Sequence, residues 1–184
     1  MEYNIQDVLN KFDAKQKLKY LFFWGHTPYS EYSVDKSCLS QWYKCSFVVD
    51  NITYNTTEQF MMSKKAMLFN DMQTFQRIMN ANHPNEFKQL GREVKNFDEK
   101  RWEENRFNIV VEGNLAKFSQ NDNLKYFLLS TKDRILVEAS PYDTIWGIGL
   151  SAKSSNITNP HSWKGLNLLG FALMQVRDCI LTGN

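Results

Sequence analysis

The chain has 184 residues, with 22 basic and 20 acidic side chains for a formal net charge of +2. That length makes one domain the default, and 42% hydrophobic with 14% aromatic residues supplies a packed core and a ring-lined pocket. The near balance of charge gives no support to a broad electrostatic DNA-binding surface and excludes neither a small ligand nor a local nucleic-acid contact.

The opening Met1-Glu2-Tyr3-Asn4-Ile5 has no basic n-region and no apolar h-region, so no secretory signal is expected. Residues 3–18 carry Ile5, Val8, Leu9 and Phe12 at the spacing of a short amphipathic helix. Lys11, Lys15, Lys17 and Lys19 make its other side basic. Residues 1–20 read as an N-terminal helical extension, and residues 21–184 as a single domain. Leu21-Phe22-Phe23-Trp24 predicts a short strand ending at Gly25, and residues 26–40 a surface loop. Phe47-Val48-Val49 predicts a second strand, turning at Asp50-Asn51 into Ile52-Thr53-Tyr54.

The most informative stretch follows, from Thr56 to Ala66. Thr56 and Gln59 fit a Thr-x-x-Gln capping box, which makes Thr56 the predicted N-cap. Glu58 then lies in the first turn, where the helix dipole favours negative charge. Lys65 follows seven residues later, nearly two turns at about 3.6 residues per turn. Both side chains therefore leave one stripe of the helix, among Met61, Met62 and Ala66. An amine beside apolar surface loses its proton more easily, which is how a lysine becomes a nucleophile near neutral pH. The alternative is a solvated charged face, and Lys64 next door argues for it.

Further helices are predicted at about 71–80, 84–94, 98–118 and 122–129. In the 98–118 helix, Trp102, Arg106, Ile109, Gly113 and Ala116 share a face. Arg106 is then either a buried partner for a core carboxylate or a ligand contact. Ile135-Leu136-Val137-Glu138-Ala139 is the best strand in the chain. Glu138 shares a face with Leu136 by alternation, and a half-buried carboxylate needs a partner or a role. After a turn at Ser140–Asp143, Ile145-Trp146-Gly147-Ile148-Gly149 alternates large residues with glycine. Glycine in a strand often marks close approach by a ligand or another backbone. Asp143 itself suits an Asx turn. Residues 151–162 read as a polar loop, and the last helix runs from about Gly165 to Leu181 with Leu169, Leu173, Val176 and Ile180 on its core face. The fold class is α+β, mainly helical with a small sheet of short strands.

No apolar run approaches the roughly 18 residues of a membrane span. Cys38, Cys45 and Cys179 are an odd number without metal-ligand spacing, and the three histidines form no motif. Reduced thiols in an intracellular protein, cytoplasmic or nuclear, are expected, with no metal and no cofactor. Phosphate-loop, dinucleotide-binding, serine-hydrolase and zinc-hydrolase signatures are missing.

Taken in order, the motifs resemble those of the NADAR (YbiA-like) family over roughly residues 21–181. They are Phe22-Phe23-Trp24-Gly25, Leu39-Ser40-Gln41-Trp42-Tyr43, Tyr54 with Thr57-Glu58-Gln59, Lys65-Ala66, Leu90-Gly91-Arg92, Trp102 with Arg106, Lys117-Phe118, Leu136 to Ser140, Asp143 with Trp146 to Gly149, Trp163 with Gly165 and Asn167 to Gly170, and Met174 with Arg177. One departure is Gln41, where many bacterial members of the family carry Asn.

The resemblance implies an N-glycosidase and two substrate classes. One is ADP-ribose attached to guanine in DNA, RNA or nucleosides, linked to DNA damage reversal or toxin defence. The other is a ribosylamino-pyrimidine phosphate, an early riboflavin-pathway intermediate. A non-catalytic ADP-ribose reader is the alternative of a different class. On this footing Lys65 attacks the anomeric carbon and opens the sugar to an imine, and Glu58 holds the lysine or moves its proton. Glu138 and Asp143 bind ribose hydroxyls or stabilise the developing cation. In the alternative mechanism a carboxylate stabilises an oxocarbenium ion and activates water, with Lys65 only positioning the substrate. Trp24, Gly25, Trp146 and Gly147 are candidates for stacking and close approach, Arg106 and Lys117 for the diphosphate, and Ser40, Gln41 and Trp42 for substrate choice. Asn167 either bonds the sugar or caps the last helix. An ADP-ribose-containing ligand is the expected partner, with no membrane partner.

Overall fold

The computed structural model describes residues 3–30 and 32–183. Met1 and Glu2 of the expected N-terminal extension, Glu31 of the expected 26–40 loop, and Asn184 lie outside the described residues. Along the chain the elements are α1 (Ile5–Asp13), β1 (Tyr20–Phe23), β2 (Phe47–Val49), β3 (Ile52–Tyr54), α2 (Thr57–Leu68), α3 (Met72–Asn80), α4 (Pro84–Arg92), α5 (Glu99–Gln120), α6 (Asp122–Ser130), β4 (Ile135–Glu138) and α7 (Leu168–Thr182), with 3₁₀ turns at Lys36–Leu39 and Pro160–Ser162. Helices dominate, as expected, and the strands are short. The chain forms two compact units. One contains Met1–Ser40 and Asp122–Asn184, the other Gln41–Asn121.

In the first unit β1 and β4 pair in parallel, with Tyr20 opposite Ile135 and Phe23 opposite Glu138. Ile135, Leu136 and Val137 are all buried, as parallel strands covered on both faces require. α7 packs on β4 and is buried almost all round in its first half. α1 is capped by Asn4, whose Oδ1 accepts the Asp7 amide at 3.0 Å. It packs on the 3₁₀ turn Pro160–Ser162, with the Phe12 ring edge-on to His161 and Asp13 Oδ1 2.7 Å from His161 Nε2.

Two expectations are corrected in this unit. Residues 145–149 form a loop, not a strand. The Asp143 carboxylate takes the amides of Ile145 and Trp146, and Gly149 turns at φ +65°, so extended pairing is not available. The last helix begins at Leu168 and not near Gly165, because Asn167 adopts the left-handed conformation at φ 55°, which ends any helical path through it.

In the second unit β2 and β3 form an antiparallel hairpin. Asp50 and Asn51 both have positive φ, the signature of a two-residue turn that matches strand twist. Phe47, Tyr54 and Phe60 are buried together, with Tyr54 edge-on to Phe60 at 5.0 Å between ring centroids. α2 packs against α3, α4 and α5. It reaches α5 closely because position 113 is glycine: a Cβ there stands 2.5 Å from Phe60 Cδ1. The buried face of α5 differs from the expected one. It holds Trp102, Phe107, Val110, Gly113, Asn114, Lys117 and Phe118, while Arg106 and Ile109 are only half-buried. Two polar residues, Asn114 and Lys117, sit on the buried side, so a search for an apolar stripe selects the wrong centre.

Candidate active site

The two residues of the acid–amine stripe lie in the second unit, on α2. Thr56 caps the helix as predicted, its hydroxyl accepting the Gln59 amide at 3.0 Å. The reciprocal half of the box is displaced by one residue: Gln59 Oε1 accepts from Asn55 N–H at 2.9 Å, not from Thr56. The helix start is tied down further by Gln41. Its carbonyl accepts the Glu58 amide at 3.0 Å and the Thr57 hydroxyl at 3.2 Å. Glu58 is therefore held by its main chain and is only 5% exposed.

Two turns on, Lys65 is half-buried. Its Nζ donates to the Gly91 carbonyl at 2.7 Å and stands 4.2 Å from the Phe97 ring centroid and 5.4 Å from that of Trp102. The ring faces attract a cation, but burial prevails and holds the amine below its ordinary range. Lys64 has the opposite fate. Burial pulls its amine down, yet ion pairs with Glu112 at 2.8 Å and Asp50 at 3.4 Å outweigh it and keep the proton on. Neighbouring lysines on one helix are thus a structural cation and a less basic amine. The solvated-face reading fits neither of them.

Gln41 is 7% exposed and its side chain turns inward. Its Oε1 accepts from Asn114 Nδ2 at 3.1 Å, and its Nε2 lies 3.5 Å from Met61 Sδ. Trp42 is half-buried. Lys117 is fully buried, its Nζ 5.4 Å from the Tyr43 ring centroid. Arg106 pairs with Glu103 at 3.1 Å, a surface carboxylate one turn earlier on α5. The core carboxylate expected as one alternative for it is not its partner.

The remaining candidates lie in the first unit. Glu138 ends β4, and its main chain is bonded on both edges. On one side Ala139 N–H donates to Phe23 O at 2.8 Å. On the other, Glu138 N–H donates to Asn167 Oδ1 at 3.0 Å, Asn167 Nδ2 donates to Leu136 O at 2.9 Å, and Ile148 N–H donates to Glu138 O at 3.0 Å. The fully buried Asn167 amide thus acts as a short third strand. It makes no side-chain cap on α7, so of its two expected roles the cap is not formed, and the amide bonds the edge of β4 instead. Gly170 allows this approach: a Cβ there stands 2.0 Å from Leu136 O and 2.5 Å from Asn167 Nδ2.

Asp143 forms the expected Asx turn, accepting Trp146 N–H at 2.7 Å and Ile145 N–H at 2.9 Å. At Gly147 the close approach is by backbone: a Cβ stands 2.9 Å from Glu138 O and 3.1 Å from Asp143 O. Trp146 is half-buried, as is Ser40, which closes the Lys36–Leu39 turn with its amide. Trp24 is exposed, and Gly25 follows at φ +87° with open space around its missing Cβ. Two further residues stand beside these candidates. Phe97 faces Lys65, and Tyr142 lies beside Trp24 with ring centroids 6.2 Å apart. Both are exposed aromatics next to motif residues, a weak signal that periodicity does not pick out. Among the described residues no three of His, Cys, Asp and Glu gather as a metal site, the three cysteines are free, and no helix is long and apolar enough to cross a membrane.

The chain is 41% identical over 165 residues to N-glycosidase R617 of Acanthamoeba polyphaga mimivirus, covering 87% of this chain and 95% of that one. It is 29% identical to N-glycosidase YbiA of Shigella flexneri, over 71% of this chain and 72% of the other. It is 34% identical to the maize chloroplastic riboflavin biosynthesis protein PYRR over 72% of this chain, but spans only 20% of that longer protein. The NMR structure of the E. coli protein YbiA superposes with a TM-score of 0.72 at 25% identity, covering 90% of this chain and 86% of that one. The family model of the NADAR domain matches residues 22–181. The chain belongs to the NADAR domain family.

Proposed function

We propose that the protein is an N-glycosidase that removes ADP-ribose from ADP-ribosylated guanine, with Lys65 as nucleophile. The N-glycosidase class is supported by the names of its relatives. The observation that carries the mechanism is the half-buried Lys65 amine, less basic than usual and held on the Gly91 carbonyl, beside a Lys64 that keeps its proton.

The chemistry follows from that amine. Neutral Lys65 Nζ attacks the anomeric carbon; the N–C bond forms as the bond to the base nitrogen breaks, and the base leaves with a proton. The glycosyl-lysine opens to an imine, and water hydrolyses it to the free sugar and the free amine. Glu58, buried on the same stripe, is the group assigned to move the proton. Glu138 and Asp143 are assigned to the ribose hydroxyls and the developing charge. Asp143 already spends one carboxylate oxygen on its turn, so Glu138 is the stronger of the two.

A second substrate reading is favoured by the likeness to the riboflavin biosynthesis protein of maize. There the same step releases the pyrimidine of a ribosylamino-pyrimidine phosphate. The test is to incubate the protein with ADP-ribosylated guanosine and with that pyrimidine compound and to measure the released guanosine or aminopyrimidine by mass spectrometry. Release of guanosine is expected. Turnover of the pyrimidine compound alone overturns the first reading, and ADP-ribose binding without turnover of either favours a reader. Borohydride added during turnover fixes an imine as a stable adduct on Lys65, whereas a carboxylate mechanism leaves none.

A further inference from the structure

We propose that Trp24 and Tyr142 form an aromatic shelf that takes the planar base of the N-glycoside, with Tyr142 as a residue that sets substrate specificity. Three observations in the first unit carry this. Trp24 is 55% exposed and Tyr142 87% exposed, so two large rings stand in solvent side by side, their centroids 6.2 Å apart and their planes tilted by 54°. Both follow the carboxyl ends of paired parallel strands. Trp24 comes directly after Phe23, and Tyr142 comes four residues after Glu138, the residue opposite Phe23 in the ladder. Where parallel strands end together, their loops converge and ligand sites form. The backbone under both rings is anchored: Ala139 bonds to Phe23 O, and Tyr142 N–H donates to Ser140 Oγ at 3.4 Å.

The spacing decides how a ligand lies. A ring sandwiched between two others needs roughly 7 Å or more between them, two van der Waals contacts of about 3.5 Å. At 6.2 Å the pair is too close for a sandwich. With the planes tilted by 54°, a flat heterocycle stacks on the face of one ring and meets the other at an angle, and a two-ring purine reaches both more fully than a pyrimidine. Every base has a face that stacks on an aromatic ring, so the contribution assigned to the shelf is stacking area. The name given to the occupant, a leaving base, rests on the N-glycosidase reading. The shelf itself rests on the rings.

The experiment is calorimetric titration of guanosine, cytidine and ribose 5-phosphate into the wild-type chain and into Tyr142→Ala, Tyr142→Phe and Trp24→Ala. Loss of one stacking ring weakens nucleoside binding by roughly tenfold or more. The expected result is that fall for guanosine in both alanine variants, retention in Tyr142→Phe, tighter guanosine than cytidine binding in wild type, and unchanged ribose 5-phosphate binding. Equal guanosine affinity in wild type and Tyr142→Ala overturns the shelf. So does wild type that binds no guanosine, and so does a parallel fall for ribose 5-phosphate. Circular dichroism confirms that the exposed substitutions leave the fold intact. A chain that stacks guanosine but releases no base from either N-glycoside sinks the proposed activity and leaves the shelf standing. Turnover with a KM unmoved by Tyr142→Ala does the reverse.

Discussion

Lys64 and Lys65 are neighbours on α2 whose amines are shifted in opposite directions, upward for Lys64 by its carboxylate partners and downward for Lys65 by burial. Lys65→Met is expected to lower kcat on the order of 10²–10⁴-fold, the range for losing a positioned proton-transfer or nucleophilic group. Lys64→Met is expected to alter stability and leave kcat within a few-fold. In the wild type, kcat/KM rises with pH as Lys65 loses its proton, along a limb whose apparent pKa lies below the ordinary 10.5. The stability consequence has a definite sign. The folded amine binds its proton less tightly than the unfolded one, so Lys65 destabilises the fold at low pH and that penalty fades as pH rises toward 10.5. A pH–rate profile of Lys65→Met with the same alkaline limb as wild type would remove Lys65 from the chemistry.

Much of this arrangement was legible in the chain. The capping residue Thr56, the strands at 47–49 and 52–54 and the spacing of Glu58 and Lys65 are local signals, written in neighbouring residues. Gln41, Asn114, Lys117 and Asn167 were not legible in the same way. Each is a polar side chain placed inside, and its partners lie far off in sequence: Gln41 bonds Asn114 73 residues away, and Asn167 bonds Leu136 31 residues away. A hydrophobic period has no symbol for an amide that substitutes for a strand. The 145–149 loop failed for a related reason. Its alternating pattern suits a strand, but the Asp143 carboxylate collects the amides that a strand partner needs.

Asp71 ties α3 to the segment after α4. Its carboxylate accepts the Lys95 amide at 2.9 Å and the Thr74 amide at 3.0 Å. The Lys95 bond first, then those from Thr74, hold its pKa at about 2. A carboxyl depressed from 3.8 stabilises the fold above that value and loses its contribution as pH falls toward 2. Asp71→Ala is expected to cost about 1 kcal/mol at neutral pH, as loss of an N-cap does. In urea unfolding followed at pH 7, 4 and 2.5 the difference from wild type should shrink with acidity. A difference that stays constant across this range shows that the charge of Asp71 contributes nothing.

Two glycines on helices facing α2 should respond differently to alanine. At Gly113 the methyl meets the rigid, fully buried Phe60 ring at 2.5 Å, so Gly113→Ala is expected to destabilise by about 1–3 kcal/mol through overpacking. At Gly91 it meets Met62 Sδ at 2.0 Å, with Met62 Cγ at 3.0 Å. A thioether end can swing away, which makes the stability loss smaller. Gly91, however, supplies the carbonyl that holds Lys65. Gly91→Ala should therefore change kcat and the alkaline limb more than thermal stability, and Gly113→Ala the reverse. Melting curves and pH–rate profiles of the two variants decide it, and identical profiles for both would mean that the Gly91 carbonyl does not position the amine.

Asn167 isolates the link between β4 geometry and function, because its two contributions separate by substitution. Its left-handed backbone is equally open to glycine, whereas its amide is what bonds Leu136 O and Glu138 N–H. Asn167→Gly keeps the first and removes the second. Two main-chain groups of β4 then lose their partner, at about 1–3 kcal/mol for each one left unsatisfied, and a melting point several degrees lower is expected. Asn167→Asp can still accept from Glu138 N–H but cannot donate to Leu136 O, so it should fall between wild type and Asn167→Gly. Because Glu138 loses a fixed edge, kcat/KM is expected to drop on the order of tenfold to a hundredfold, the scale of a displacement near 1 Å at a reacting group. If Asn167→Gly matches wild type in both melting and turnover, the side chain is dispensable and only its backbone conformation matters. A loss of melting temperature with kcat/KM unchanged would instead detach Glu138 from the reaction and leave the amide a purely structural strand substitute.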